Sequence, residues 1–233
     1  MKIYVITAFP QFFKSPLETS ILKKGIEKCK IYVEIVDLRE FSTEKHKKVD
    51  EYPYGGGPGM VLMVEPIFNA ISKIKEKNQN SKIKIILVSP QGEKLNQSKI
   101  RELSKEEILI IICGHYKGVD ERVKRFIDEE ISVGDYILSG GELPSLIIID
   151  SITRIIPGVI GDIDSANSDS FETGLLDHPH YTKPRDFKGE KVPEILLSGN
   201  HKEIEKWRKR MSYINTTKNR SDLLESENRK ESW

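Results

Sequence analysis

The run Gly134-Asp135-Tyr136-Ile137-Leu138-Ser139-Gly140-Gly141-Glu142-Leu143-Pro144 crowds three glycines, a serine and a proline between an apolar segment and the start of a helix. Glycine reaches positive φ and lets backbone approach backbone, so such a turn can wrap a flat ligand with its own N–H and C=O groups. Two common nucleotide sites are excluded. The chain carries no G-x-x-x-x-G-K-[ST] phosphate loop after a strand and no G-x-G-x-x-G dinucleotide fingerprint.

The segments around this turn alternate between strand and helix patterns. Residues 2 to 7 read as a first strand, and Ile31 to Val36 as a second. Ser15-Pro16-Leu17-Glu18 predicts a helix start, with Ser15 as N-cap, Pro16 at the first position and Glu18 closing a capping box. After Pro66, the spacing of Ile67, Ala70, Ile71 and Ile74 gives one apolar helix face. Ile83 to Val88 is a buried strand that runs into Ser89-Pro90-Gln91-Gly92, and Asn96 is placed to cap a short helix. Ile108 to Ile112 is a further strand, ending in Cys113-Gly114-His115-Tyr116-Lys117-Gly118, and Val119 to Asp128 reads as helical. A helix starting at Pro144 ends near Pro157-Gly158. This alternation predicts an α/β fold with a mainly parallel sheet covered on both faces. Ligands of such sheets sit outside the carboxyl ends of the strands. The loops near Ser89, near Gly114 and from Gly134 to Gly141 are therefore expected to share one site.

With 233 residues, 37% hydrophobic and 31% charged, the chain can bury a core. It has no apolar run of membrane-spanning length and no signal-peptide pattern, so no membrane association and a cytoplasmic location are expected. Its 2 cysteines, Cys29 and Cys113, give no disulfide framework and are expected to be buried, reduced thiols. Cys113-Gly114-His115 lacks a second pair at zinc spacing, and no metal ligands are assigned. The net charge of +1 gives no argument for a nucleic-acid partner. Lys202, Lys206, Arg208, Lys209, Arg210, Lys218 and Arg220, however, gather near the C-terminus.

Between residues 161 and 174 the chain becomes rich in Asp, Ser, Asn and Gly and loses apolar periodicity. Three parts are expected: a large α/β domain over 1–160, a flexible linker over 161–174, and a small helical domain over 175–233. In the last part, Asn200 and Glu203 form a helix start followed by Trp207 and Met211 at i, i+4, and Ser221-Asp222-Leu223-Leu224 is placed to begin a short final helix.

Several motifs then stand in one order. They are Tyr54-Gly55-Gly56-Gly57-Pro58-Gly59-Met60, Ser89-Pro90-Gln91-Gly92, Cys113-Gly114-His115-Tyr116, Gly118-x-Asp120-Glu121-Arg122 and the Gly134 to Pro144 run. Ser170-Phe171, Pro179-His180-Tyr181-Thr182 and Leu196-Leu197-Ser198-Gly199-Asn200-His201 follow. From about residue 2 to about residue 212 the chain resembles the bacterial tRNA (guanine-37-N1)-methyltransferases of the SPOUT class.

The resemblance implies a deep trefoil knot in the large domain, S-adenosylmethionine held in a bent shape, tRNA as substrate, and a homodimer in which each site is completed by the second subunit. It implies a cofactor pocket lined by Ser89, Pro90, Gln91, Gly92, Gly114 and Tyr116. Val133, Gly134, Asp135, Tyr136, Ile137 and Leu138 would meet adenine and ribose, with Gly140, Gly141 and Pro144 shaping the wall. It makes Asp169 the catalytic base that removes the N1 proton of guanine, and Arg154 the cation that stabilises charge on O6. Tyr54 to Gly59 would lie near the target nucleotide. His180, Tyr181, Asn200 and His201 would contact RNA or dock the small domain. One position departs from the family pattern. Lys117 stands where many relatives have a glutamate associated with cofactor placement and a divalent ion, which predicts reduced or relocated Mg2+ dependence. Methylation of a ribose 2′-oxygen, and a non-catalytic RNA-binding role, are the competing readings. Asp169 speaks against the first and Lys117 leaves room for the second.

Overall fold

Ile108-Leu109-Ile110-Ile111-Ile112-Cys113 has no charged side chain, and a strand of that composition is stable only where both of its faces are covered. All six residues are buried. In the computed structural model, which describes residues 1–161 and 168–224, this segment is the middle strand of the main sheet. The chain divides into two compact units, Met1–Ile163 and Asp164–Trp233.

In the first unit, strand β1 (Lys2–Thr7) leads through a 3-10 turn, helix α1 (Lys14–Leu17) and helix α2 (Ser20–Glu27) to β2 (Tyr32–Asp37). A short ladder of β3 (Asp50–Glu51) and β4 (Val61–Leu62) precedes α3 (Val64–Lys77). Then come β5 (Ile83–Lys94), α4 (Gln97–Leu103), β6 (Ile108–Cys113), β7 (Glu129–Ser132) and α5 (Glu142–Ile155). The sheet order is β2-β1-β6-β5-β7, and every neighbouring pair is parallel. Lys2 and Ile83 both register with Ile108, so β1 and β5 start level on either side of β6.

The two-residue period of the strands divides the core into two layers. Tyr4, Ile6, Leu87, Ile108, Ile110 and Ile112 point to one side, where the Ile67, Ala70, Ile71 and Ile74 stripe of α3 covers them. Ile3, Val5, Ile86, Val88, Leu109 and Ile111 point to the other, under Leu22 of α2, Ile100 and Leu103 of α4, and Ile148, Ile149, Ile152 and Ile155 of α5. Each such aliphatic side chain contributes roughly 1.5–3 kcal/mol on burial. Gly25 lets α2 and α5 approach, since a Cβ there would lie 2.9 Å from Thr153 Cγ2.

The expected strands, the α3 face and the Asn96 cap are present, and Asn96 Oδ1 accepts from the Lys99 N–H at 2.9 Å. Four expectations need correction. Ser15 is not an N-cap: α1 begins at Lys14, continuous with the preceding 3-10 turn, and the Ser15 carbonyl accepts from the Thr19 hydroxyl at 2.8 Å. Val119–Asp128 is not an α-helix. Only Glu121–Phe126 coils, as a 3-10 turn, and Asp128 pairs with Ile85 through both its N–H and its carboxylate. Cys29 is exposed, at the end of α2, while Cys113 is buried. The strand at Ile83 does not stop at Val88. Val88 and Glu93 both register with Ile131, so Ser89–Gly92 loops out and the strand resumes on β7. β7 was not foreseen, because its four residues carry two glutamates and show no apolar run.

Described by itself, the second unit contains a hairpin of β8 (Asp186–Phe187) and β9 (Glu190–Lys191), a short α6 (Glu194–Leu197) and the long α7 (His201–Asn219). Asn200 caps α7 by accepting from the Glu203 N–H, as its sequence predicts. Trp207 and Met211 are half-buried on one side of α7, while Lys202, Lys206, Arg208, Lys209, Arg210 and Lys218 are exposed. Residues 221–224 are helical.

Gly92 is a tight passage of backbone against backbone. A Cβ there would lie 2.3 Å from the Glu130 carbonyl carbon and 2.3 Å from the Ile131 nitrogen, both backbone atoms that cannot step aside. Gly92→Ala is expected to lower stability by about 3 kcal/mol, the upper end for overpacking, as read from the urea midpoint at unchanged m-value.

Candidate active site

The loop-out of β5, the segment after β6 and the segment after β7 meet at the carboxyl end of the sheet around a cavity of about 480 Å³. That volume lies in the range of small-molecule sites, roughly 300–1,000 Å³. Ser89, Pro90, Gln91, Gly114, Tyr116, Val133, Gly134, Tyr136, Ile137, Leu138, Gly140, Gly141 and Pro144 all line it. Two residues of the sequence-based set do not. The Asp135 carboxylate turns to Lys94 Nζ and stays exposed, and Gly92 lies against β7.

Backbone builds much of the wall. Gly140 bridges His115 in an antiparallel pair, and the Gly141 N–H donates to the Gly114 carbonyl at 2.7 Å. A Cβ on Gly141 would lie 2.7 Å from the Cys113 Cα, so only glycine permits this crossing. Gly134 adopts φ 152°, and Tyr136 folds back over it to donate from its hydroxyl to the Val133 carbonyl at 3.3 Å. Tyr116 takes φ 58°, a left-handed conformation rare outside glycine and costing on the order of 1–3 kcal/mol. Burial, together with the neighbouring Asp50 carboxylate, pushes its phenol up from the usual tyrosine range.

Two polar groups the sequence reading did not single out, Lys124 and Glu130, join Gln91 and Glu121 in the wall. Lys124 Nζ reaches Gln91 Oε1 at 3.0 Å, Glu121 Oε1 at 3.2 Å and Glu130 Oε2 at 3.3 Å. One ammonium thus ties the β5 loop-out, the 3-10 turn and β7 together. The Asp120-x-Arg122 part of the motif before it is a local clamp. Arg122 donates from Nε and Nη2 to Asp120 at 2.9 and 2.7 Å, and this pairing holds the Asp120 carboxyl below its usual range.

Beneath the Gly140-Gly141 turn lies Glu142, only 5% exposed. Its Oε1 accepts from the Thr7 hydroxyl at 2.8 Å, and its Oε2 is 3.5 Å from His115 Nδ1, too long for a good hydrogen bond. His115 is held in place by ring contacts with Phe9 at 4.4 Å and Tyr116 at 4.6 Å. The turn is therefore seated on a buried carboxylate at the end of β1. Pro144 falls in the first turn of α5, where a missing N–H costs nothing.

The glycine-rich loop at Tyr54–Gly59 reaches the same region. Gly55, Gly56, Gly57 and Gly59 all have positive φ, and Tyr54 is fully exposed. The Lys117 N–H donates to the Met60 carbonyl at 3.0 Å, and the Lys117 side chain packs against Gly59. Lys117 itself borders the cavity.

Arg154 is exposed on the last turn of α5, in the first unit. Asp169 is half-buried in a turn of the second unit, where its carbonyl accepts from the Glu172 N–H at 3.3 Å. In that unit Asp177 gathers two histidines. Its carboxylate accepts from the His178 N–H at 2.7 Å and pairs with His180 Nε2 at 2.8 Å. Burial opposes ionisation there, but these partners outweigh it and hold the Asp177 carboxyl low. Tyr181 and His178 flank Trp207 of α7. His201 is the first residue of α7, exposed beside its Asn200 cap.

Truncating Glu142 removes the partner of a buried hydroxyl and opens space beneath the turn. Glu142→Ala is expected to destabilise the protein by roughly 1.5–3 kcal/mol, the range for a hydrogen bond to a charged group. Chemical denaturation checks this, and Glu142→Gln, which keeps an acceptor for Thr7, is expected to lose less.

Comparison with known proteins gives one answer. The family model described as tRNA (Guanine-1)-methyltransferase TrmD matches residues 1–226. A protein of Oceanobacillus iheyensis named tRNA (guanine-N(1)-)-methyltransferase is 53% identical over 226 residues, covering 97% of this chain and 92% of the relative. Relatives of the same name include one from Carboxydothermus hydrogenoformans, 53% identical over 96% of this chain and 87% of its own length. Another, from Listeria monocytogenes, is 50% identical over 97% of this chain and 93% of its own length. With a parallel sheet, a backbone-walled cavity at its carboxyl end and a family match along nearly its whole length, the chain belongs to the tRNA (guanine-1)-methyltransferase family.

Proposed function

We propose that this protein methylates N1 of guanosine at position 37 of tRNA with S-adenosylmethionine as donor. The observation that carries the reading is the cavity formed where the three sequence-predicted loops meet, in a chain of this family. Its lining suits the donor. Backbone N–H and C=O groups from Val133 to Leu138 match the mixed donor and acceptor edge of adenine. When bound, S-adenosylmethionine supplies the electrophilic methyl carbon.

The chain's own residues do the rest. Neutral guanine holds a proton on N1, whose lone pair is unavailable until that proton leaves. Asp169 accepts it as the new bond forms. An ordinary aspartate, with a pKa near ~3.9, is ionised at neutral pH but weakly basic, so it needs help. Arg154 gives it by facing the negative charge that builds on O6. The exposed basic side of α7 meets phosphates, which position RNA without reading its sequence.

The closeness of Gly92 to β7 and of Gly141 to Cys113 supports the reading that the chain threads a trefoil knot here. Exposed Phe12 lies on the 3-10 turn Pro10–Phe13, which packs with α5, Phe9 precedes that turn, and with exposed Leu143 and Ile147 of α5 they support a homodimer that covers them. Among the described residues no helix is long and apolar enough to cross a membrane, and we place the reaction in the cytoplasm. A divalent ion fits this cavity poorly. Both lining carboxylates pair with Lys124, and Lys117 adds a second ammonium. No step is assigned to Mg2+.

Purified protein, an unmodified tRNA transcript and labelled donor, followed by nucleoside mapping, test the reading. N1-methylguanosine at position 37 is the expected product, and methyl on a ribose oxygen overturns it. Asp169→Ala is expected to lower turnover by about 10²–10⁴-fold, and Arg154→Ala by about 10²–10³-fold. In metal-stripped buffer, activity is expected before any Mg2+ is added, changing little as the ion is titrated in. An absolute requirement for the ion contradicts the role given to Lys117.

A further inference from the structure

We propose that Ser170, Asp177 and Thr216 are positioning residues for Asp169, fixing the base-bearing turn onto α7. The inference rests on the reading of Asp169 as the general base. The turn that follows Asp169 is held by hydrogen bonds at each step. The Glu172 N–H donates to the Asp169 carbonyl at 3.3 Å, and the Phe171 N–H to the Leu175 carbonyl at 2.8 Å. The Asp177 N–H then returns to the Ser170 hydroxyl at 2.9 Å, closing the loop beside the base.

That loop is seated on the helix. Thr216 is wholly buried, and its hydroxyl accepts from the Leu176 N–H at 2.9 Å while donating to the Ser212 carbonyl at 2.7 Å. The Asn215 side chain donates to the Asp177 carbonyl at 3.0 Å, and the Arg220 guanidinium lies 5.8 Å above the Phe171 ring. The Asp177 carboxylate is fixed by the His178 N–H and the His180 ring, so the residue that holds Ser170 is itself held.

The consequence is mechanical. The base rides on the same helix whose one face carries the exposed Lys202, Lys206, Lys209 and Arg210. Seating of the RNA backbone on that face and placement of the carboxylate become one event. A displacement of about 1 Å is enough to cost on the order of 10²-fold in rate, so loosening this seat has a kinetic signature without any loss of cofactor binding.

The test uses the full chain with tRNA transcript and S-adenosylmethionine. Thr216→Val keeps the shape and removes the hydroxyl, Thr216→Ser restores it, and Ser170→Ala removes the acceptor nearest Asp169. Both Thr216→Val and Ser170→Ala are expected to lower kcat by about tenfold or more while KM for S-adenosylmethionine stays unchanged, and Thr216→Ser is expected to recover the rate. The deficit is also expected to shrink as pH rises toward the ionisation of guanine N1 itself, where a placed base is needed less. Far-UV circular dichroism checks folding. If Thr216→Val fails to fold, the half-buried Ser170→Ala decides alone. Wild-type kcat in the folded variants, or a deficit that pH does not narrow, overturns the proposal while leaving the function intact. An active Asp169→Ala variant instead overturns the reading of the base, and this inference with it.

Discussion

Backbone touching backbone at the carboxyl end of the sheet is the constraint on which the site depends. Gly92 lies against Glu130 and Ile131, and Gly141 against Cys113 and Gly114, at separations that leave no room for a Cβ. These crossings draw the segments after β5, β6 and β7 into one cluster. They also decide what kind of wall the cavity has. Where side chains are excluded, the wall is main chain, whose position is set by the fold rather than by rotamers. Any side chain at these glycines damages the fold and the pocket by the same contact.

Such a wall needs its polar ends satisfied from behind. Glu142 sits under the Gly140-Gly141 turn with Thr7 as donor, and Lys124 gathers Gln91, Glu121 and Glu130 from three segments. Each is a buried or half-buried polar group with a distant partner, Thr7 being 135 residues from Glu142 and Gln91 33 from Lys124, so each reports the tertiary arrangement and stiffens it. The burial of Cys113 belongs to the same picture. Packed under Ser145 at 3.1 Å, its thiol is pushed up by burial and is a small apolar filler, not a nucleophile.

Periodic features were legible in the sequence because they follow from a single chain segment. The apolar run of β6, the Ile67 to Ile74 stripe and the Asn96 and Asn200 caps need no knowledge of the rest of the molecule. The cavity loops were legible through their glycines. What escaped was set by distant partners. β7 is polar and short, and it is a strand only because β5 passes it and returns after a loop-out. Val119–Asp128 has helical composition, but Asp128 is captured by Ile85. Asp135 lies within the glycine run, yet its exposed carboxylate finds Lys94 instead of the cavity. Lys124 and Glu142 gave no local sign, since a lysine on a turn and a glutamate at a helix start are ordinary residues until their neighbours are known.

The same distinction bears on the proposed chemistry. An aspartate is a weak base, and a weak base contributes only if the proton it takes lies within hydrogen-bond reach as the bond to carbon forms. A carboxylate on an unanchored segment would spend most of its time in water, where it is both distant and well solvated. The turn at Asp169 is anchored: Ser170 is tied to Asp177, Asp177 to two histidines, and Leu176 to a buried threonine of α7. What the base lacks in intrinsic strength can then be made up by placement, and placement is a property of the helical unit as a whole. It follows that residues with no access to guanine, such as Thr216, can carry part of the barrier to methyl transfer.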